Sequence, residues 1–233
     1  MQCQTWRRAL YPLLPKRFRA RLRRVLGSIV LDILMASIVR YPKILLVHPW
    51  TLKLCIFGWG SGWCASYEYL SAAVRYAQTT RGSILELGSG LSTLVLGAFT
   101  SPQRRKMFSL EQDAEYAKKV QKLLFRYGIK NVNLFVAPIV SYSTFDWYHV
   151  PPAIFEEAFD LVICDGPAGP LKGGRVGLVP VLINQLRRPC IILLDDVDRE
   201  SERRALEVWS TMVECKVSCY QGGNRMFGVV ELR

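Results

Sequence analysis

The stretch ILELGSG, residues 84–90, runs an apolar strand into a glycine turn. Ile84, Leu85 and Leu87 have the composition of a strand covered on both faces. Gly88, Ser89 and Gly90 then allow close approach to the backbone before a helix begins. Glu86 sits among the apolar residues. A buried carboxylate there is costly unless a cation or a hydrogen-bond donor meets it.

Outward from this stretch, strands and helices alternate. SILELG (83–88), KMFSLE (106–111), NVNLFVA (131–137), FDLVICD (159–165) and CIILLDD (190–196) read as five strands. STLVLGAF (92–99) predicts a helix with Ser92 as its N-cap. Residues 113–128 predict a helix opened by Asp113 and closed by Gly128. RESERRALEVWSTMV (199–213) predicts another, and KVSCY and RMFGVVEL a hairpin around Gly222, Gly223 and Asn224. Apolar strands separated by helices indicate an α/β fold with a mostly parallel sheet covered on both faces.

Ligands of such sheets bind outside the carboxyl ends of the strands. That rule selects Glu86 to Gly90, Glu111, Asp165 and the pair Asp195–Asp196. Glu111 ends the second strand 21 residues beyond Gly90, where a carboxylate grips a ribose diol. A dinucleotide oxidoreductase would share that much, but Thr93 stands at its third fingerprint glycine. Glu86 would also repel a pyrophosphate. A ligand with a cationic end and no phosphate, such as S-adenosylmethionine, reverses that sign.

ILELGSGLSTLVLG, FSLEQD, FDLVICDGPAG and IILLDDVDRE resemble, in order, the motifs of class I S-adenosylmethionine-dependent methyltransferases, most closely the small-molecule O-methyltransferase-like branch. The resemblance runs from residue 83 to about 232. It implies a Rossmann-like seven-stranded sheet with an antiparallel last strand. It also implies that Glu86, Gly88, Ser89 and Gly90, with Ser92 and Thr93 behind them, hold the methionine part of the cofactor. Glu111 would hold the ribose, and Ala137 would lie by the adenine. Asp165, Asp195 and Asp196 stand where related catechol enzymes bind magnesium with Asp, Asp and Asn. The competing expectation is that Asp195 and Asp196 cap the next helix and pair with Arg199, Arg203 or Arg204.

For the acceptor, Asp165 and His149 are the candidate general bases, and GPAGPLKGGR (166–175) is expected to be a flexible loop over the substrate. Asp165-Gly166-Pro167-Ala168 is not the Asn/Asp-Pro-Pro-aromatic motif of adenine and glutamine N-methyltransferases. Pro189-Cys190 begins a strand, unlike a cytosine nucleophile. A small-molecule, sugar or lipid-like hydroxyl remains. The alternatives are an aminopropyltransferase of the same fold, an NAD-dependent oxidoreductase, or a non-catalytic membrane-associated protein that keeps the pocket.

The formal net charge is +12, and residues 1–53 carry eleven Lys/Arg against Asp32 alone. The basicity therefore belongs to an N-terminal extension, residues 1–66, ahead of a domain at 67–233. From Phe18, Leu22, Val25, Leu26, Ile29, Val30, Ile33, Leu34 and Ile38 follow helical spacing. This basic amphipathic helix, residues 18–38, either packs on the domain or lies on an anionic membrane surface. The apolar run is short for a span and Asp32 interrupts it. Trp6, Tyr11 and Phe18 interleave with the basic residues, but a solvated face explains this better than nucleic acid. Residues 44–59 and GWGSGWC predict an apolar segment closed by a glycine turn, and ASYEYLSAAVRYAQ a helix. Seven scattered cysteines without a CxxC pair fit reduced thiols and a cytoplasmic protein, peripheral on the membrane if the helix binds it.

Overall fold

The computed structural model describes residues 16–60 and 64–233. Cys3, Trp6, Tyr11 and the Ser61–Trp63 part of the glycine turn lie outside the described residues, as does the side chain of Phe18.

Four helices come first: α1 (Lys16–Arg40), α2 (Ile44–Val47), α3 (Trp50–Trp59) and α4 (Tyr67–Thr79). Then follow β1 (Ser83–Leu87), α5 (Leu91–Thr100), β2 (Met107–Glu111), α6 (Ala114–Arg126) and β3 (Val132–Val136). A small hairpin, β4 (Ile139–Ser141) and β5 (Asp146–Tyr148), leads through α7 (Pro152–Phe155) to β6 (Phe159–Cys164). The chain ends with α8 (Leu178–Leu182), β7 (Leu186–Leu194), α9 (Glu200–Met212), β8 (Cys215–Gly222) and β9 (Arg225–Leu232).

The main sheet has seven strands in the order β3-β2-β1-β6-β7-β9-β8. Its first five strands are mutually parallel, and β9 runs antiparallel to both β7 and β8. The central strands are the apolar runs of the sequence. All five residues of β2 and the last four of β1 are buried, while the edge strand β3 is half open. One face of the sheet packs on α3 to α6, the other on α8, α9 and the β4–β5 hairpin.

Helix α5 is buried on every side, all ten residues. A helix apolar all round needs cover beyond the sheet. The N-terminal helices supply it: Leu31, Met35, Ile38, Leu52 and Cys55 share one core cluster with Leu94, Val95 and Phe99. Backbones of α1 and α3 meet closely at Gly27 and Gly58. A Cβ on Gly58 would lie 2.9 Å from the Gly27 carbonyl oxygen. Asp32 anchors α1 to the end of α6 by accepting from the Arg126 guanidinium (2.6 Å) and the Tyr127 hydroxyl (2.7 Å).

Three details differ from the sequence expectation. The residue at the N-cap of α5 is Gly90, and Ser92 lies inside the first turn. The segment between β3 and β6 contains a hairpin whose Trp147 and Tyr148 are fully buried. The core-facing side of α1 carries Leu31, Met35 and Ile38, while Leu22, Val25, Leu26, Ile29 and Ile33 are exposed.

Candidate functional site

The carboxyl ends of β1, β2, β6 and β7 bring the acidic candidates to one edge of the sheet. Glu86 lies opposite Ser109 of β2 in register and is wholly buried. Its Oε2 accepts from the Ser109 hydroxyl (2.6 Å) and the Thr93 hydroxyl (2.6 Å). Thr93 Oγ1 in turn accepts from the Gly90 backbone N–H at 2.8 Å. These two hydroxyls are what meets the buried carboxylate among the strands. Glu86 Oε1 has no partner. Burial pushes Glu86 up to about 7, against the hydroxyls of Ser109, Ser92 and Thr93, with the Glu111 charge adding to the rise.

Glu111 ties the glycine turn to the end of β2. Its Oε2 accepts from the Ser89 N–H (3.0 Å) and hydroxyl (2.7 Å), and its Oε1 from the Asp113 N–H (3.0 Å). A carboxylate offers about four lone-pair sites, so one remains for a ligand hydroxyl. Ala137 is the neighbour on the β3 side, its N–H donating to the Glu111 carbonyl at 2.8 Å. Gly88 has φ +87°, and a Cβ there would lie 3.0 Å from the Gly166 nitrogen. The turns after β1 and β6 thus pack backbone to backbone, which only glycine permits. A Cβ at Gly90 would meet only the Tyr116 hydroxyl, at 3.6 Å, so its outer side is open.

The third group is an ion cluster. Carboxylate oxygens of Asp165, Asp195 and Asp196 lie within 4.8 Å of one another. The buried guanidinium of Arg175 lies among them. Its NH2 is 3.0 Å from Asp196 Oδ2 and 3.3 Å from Asp165 Oδ1, and it also donates to the Asp165 carbonyl (2.7 Å). Its NH1 donates to the Asp195 carbonyl at 2.7 Å, and its Nε lies 3.9 Å from Glu202. Arg225 and Arg199 reach Asp196 at 3.3 and 2.9 Å. The Arg175 guanidinium therefore competes with a divalent cation for the Asp165 and Asp196 carboxylates, while Asp195 Oδ2 is buried without a hydrogen-bond partner.

Of the arginines expected to pair here, Arg199 does so. Arg203 instead donates to the Asp198 carbonyl at 2.6 Å. Burial works against the Arg175 charge, but Asp165, Cys164, Asp196 and Glu202 outweigh it and hold its pKa above the usual arginine value. Burial raises Asp165 against the pull of Arg175, with Asp196 adding to the rise. Burial, Asp165 and Asp196 push Asp195 up to about 7.

His149 stands apart from this cluster. Its backbone N–H donates to the Pro138 carbonyl (2.7 Å), and its side chain is exposed beside the β3 end. The loop expected to be flexible over substrate is pinned at its end by Arg175, and near its start by Gln112. The Gln112 side-chain amide exchanges two hydrogen bonds with the Ala168 backbone, at 2.9 and 3.1 Å. Sequence reasoning missed Ser109, Arg175, Arg225 and Gln112. A serine within the apolar run MFSLE, the next strand after that of Glu86, was the available signal for the first.

Two clefts of about 630 and 680 Å³ open at the other, amino edge of the sheet, lined among others by Arg104, Lys106 and Lys130, and by Arg40, Lys43 and Arg81. None of the candidate residues lines either.

This strand order, with β9 inserted antiparallel and acidic residues at the ends of β1, β2 and β6, is the Rossmann-like class I methyltransferase fold. Among solved structures, the chain is similar to an O-methyltransferase from Bacillus cereus in complex with SAH. That match has 14% identity and TM-score 0.57, covering 92% of this chain and 100% of that one. It is similar to the SAH-bound Podospora anserina methyltransferase PaMTH1, with 18% identity and TM-score 0.53 over 73% of this chain and 80% of that one. A ribosomal protein L11 methylase from Lactobacillus delbrueckii subsp. bulgaricus also matches, with 14% identity and TM-score 0.53 over 72% and 78%. No family model matches the chain, and no curated protein matches it. At these identities the likeness establishes the fold alone.

Proposed function

We propose that the chain is an S-adenosylmethionine-dependent methyltransferase whose acceptor is a small-molecule, sugar or lipid-like hydroxyl. The observation that carries this reading is the pair of carboxylates flanking the glycine turn. Glu86 would oppose a pyrophosphate and complements the cationic end of a ligand without phosphate, while Glu111 is placed for its ribose. The residues present fit that ligand. Glu86 Oε1 is buried without a partner, Glu111 retains an acceptor site, and the outer side of Gly90 is open. Solved structures of the same fold carry SAH.

When bound, S-adenosylmethionine supplies an electrophilic methyl group on a sulfonium. In this reading Glu111 takes a ribose hydroxyl, while Gly88, Ser89 and Gly90 bring the backbone to the methionine part. Asp165 is the carboxylate of the acidic trio with an open side chain, 29% exposed against 1% for Asp195 and 3% for Asp196. Its raised pKa suits it to receive the proton that the acceptor hydroxyl gives up. Holding the acceptor in line supplies much of the rate. The cation of Arg175 keeps the neighbouring carboxylates in place, so the reaction is expected to proceed in the presence of a metal chelator.

Glu111→Ala is expected to weaken S-adenosylmethionine binding by roughly tenfold to a hundredfold, the worth of hydrogen bonds to a charged group. Calorimetry on the folded variant measures it, and unchanged affinity would sink the ribose role. The same titration with decarboxylated S-adenosylmethionine and with NAD separates the aminopropyltransferase and oxidoreductase readings. A wild-type protein that prefers either ligand overturns the proposal.

A further inference from the structure

Helix α1 is apolar on two sides. One side, with Leu31, Met35 and Ile38, is committed to the core, and Gly27 is locked against Gly58. The other side carries Leu22, Val25, Leu26, Ile29 and Ile33, all 36–62% exposed. At 100° per residue these five fall within an arc of roughly 100°, a continuous stripe. The neighbouring helix α3 adds Trp50, Leu54 and Phe57, also exposed, and the Arg23 guanidinium sits 5.9 Å from the centre of the Phe57 ring. Among the described residues nothing covers either stripe. Isolated exposed apolar residues need no explanation, but an aligned set on paired helices marks an interaction surface.

The charge around the stripe selects the partner. The segment KRFRARLRR, residues 16–24, holds six cations and no acid, and it runs directly into Val25 and Leu26. Trp50, exposed at the start of α3, adds the kind of aromatic side chain that suits a membrane interface. Among the described residues, no helix is long and apolar enough to cross a membrane. The stripe from Leu22 to Ile33 is only about 17 Å long at the helical rise. With its opposite side packed in the core, α1 is held on the domain and offers one face only.

We infer that this face of α1 and α3 lies flat on an anionic lipid bilayer, with Arg21 and Arg23, which flank the stripe on either side, on the head groups and the apolar stripe below them. The geometry also places the candidate site near that surface. The Gly27–Gly58 crossing adjoins Trp59, and the Lys119 ammonium lies 5.0 Å from the Trp59 ring and 5.5 Å from the Tyr116 ring. The Tyr116 hydroxyl faces Gly90. The other end of α1, Arg40, lines the amino-edge cleft with Phe99 and Thr100. The basic first eleven residues of α1 therefore run past the crossing on the side of the glycine turn. An acceptor presented at a bilayer surface would meet that edge of the sheet.

Flotation of the full chain with phosphatidylcholine vesicles, with and without phosphatidylserine, tests this independently of any methyl transfer. The expected result is binding to the anionic vesicles at low salt, weakened strongly by high salt. Both Ile29→Asp and Ile33→Asp should bind on the order of tenfold to a hundredfold more weakly, the worth of burying one such side chain. Their melting temperatures should stay near wild type, since both positions are exposed. Arg21→Gln with Arg23→Gln should reduce binding and its salt dependence together. Equal binding to neutral vesicles, or aspartate variants that float as well as wild type, would overturn the inference. So would protein released only by detergent. Aspartate variants that instead turn a dimer into a monomer in analytical ultracentrifugation would assign the stripe to a second copy of the chain.

Discussion

Arg175→Ala is expected to cost about 3–5 kcal/mol of folding stability, the range for breaking a buried ion pair by removing one partner. The guanidinium is 2% exposed and closes four hydrogen bonds or ion contacts with the Asp165 carbonyl, the Asp195 carbonyl, Asp165 Oδ1 and Asp196 Oδ2. Truncation leaves Asp165, Asp195, Asp196 and Glu202 facing one another. Arg225 and Arg199 remain, but both are partly exposed and reach mainly one carboxylate of the group, Asp196. For a chain of this size the loss corresponds to a fall in Tm of roughly 10 °C. Arg175→Lys should fall between, because an ammonium keeps the charge and loses the planar fork.

The vacated space then holds three carboxylate oxygens suited to a hard divalent cation. Magnesium or manganese is therefore expected to restore part of the Tm of the alanine variant and to leave wild type unchanged. Urea denaturation and thermal melting, each with and without metal, measure both effects. An alanine variant within about 1 kcal/mol of wild type would show that the cluster does not depend on its internal cation.

The outline of the sheet was legible because its central strands are apolar on nearly every residue. Ile84 to Leu87, Met107 to Leu110 and Leu161 to Cys164 are buried as that composition requires. The antiparallel β9 was foreshadowed by the turn at Gly223–Asn224. What was not legible depends on contacts between distant segments. Ser109 looks like strand filler until its register with Glu86 is known, 23 residues away in sequence. Arg175 lies ten residues past Asp165 in a glycine-rich loop, where no periodicity reports that it turns inward. The β4 and β5 strands have three residues each, too short for an alternating pattern to stand out. In α1 the sequence holds two apolar sides. The longer-looking one, from Leu22 to Ile33, faces outward because the small surface at Gly27 lets α3 approach from the other direction.

Glu86→Gln is the substitution that separates structure from ligand binding at the buried carboxylate. In the folded protein Glu86 is raised to about 7 from the ordinary 4.5, chiefly by burial. Between those values the folded state holds a proton that the unfolded chain has released. The associated stability is thus complete below about pH 4.5 and is lost as pH rises to about 7. The size of this loss is roughly 3 kcal/mol for a wholly buried group. Gln cannot ionise, so the variant should lose this slope, and a comparison of wild-type and variant denaturation at pH 5 and pH 8 reads it directly.

Ligand binding should move the other way. A cation near Oε1 requires the ionised form, so wild-type affinity for S-adenosylmethionine should rise from pH 6 to pH 8. The Gln variant should be flat over that range and weaker at pH 8 by roughly tenfold to a hundredfold. Loss of the stability slope with unchanged affinity would instead leave Glu86 as a partner for Ser109 and Thr93 alone. The carboxylate would then brace β1 against β2 and the first turn of α5, and the cationic end of the ligand would have to find its charge partner at Glu111 or Asp165.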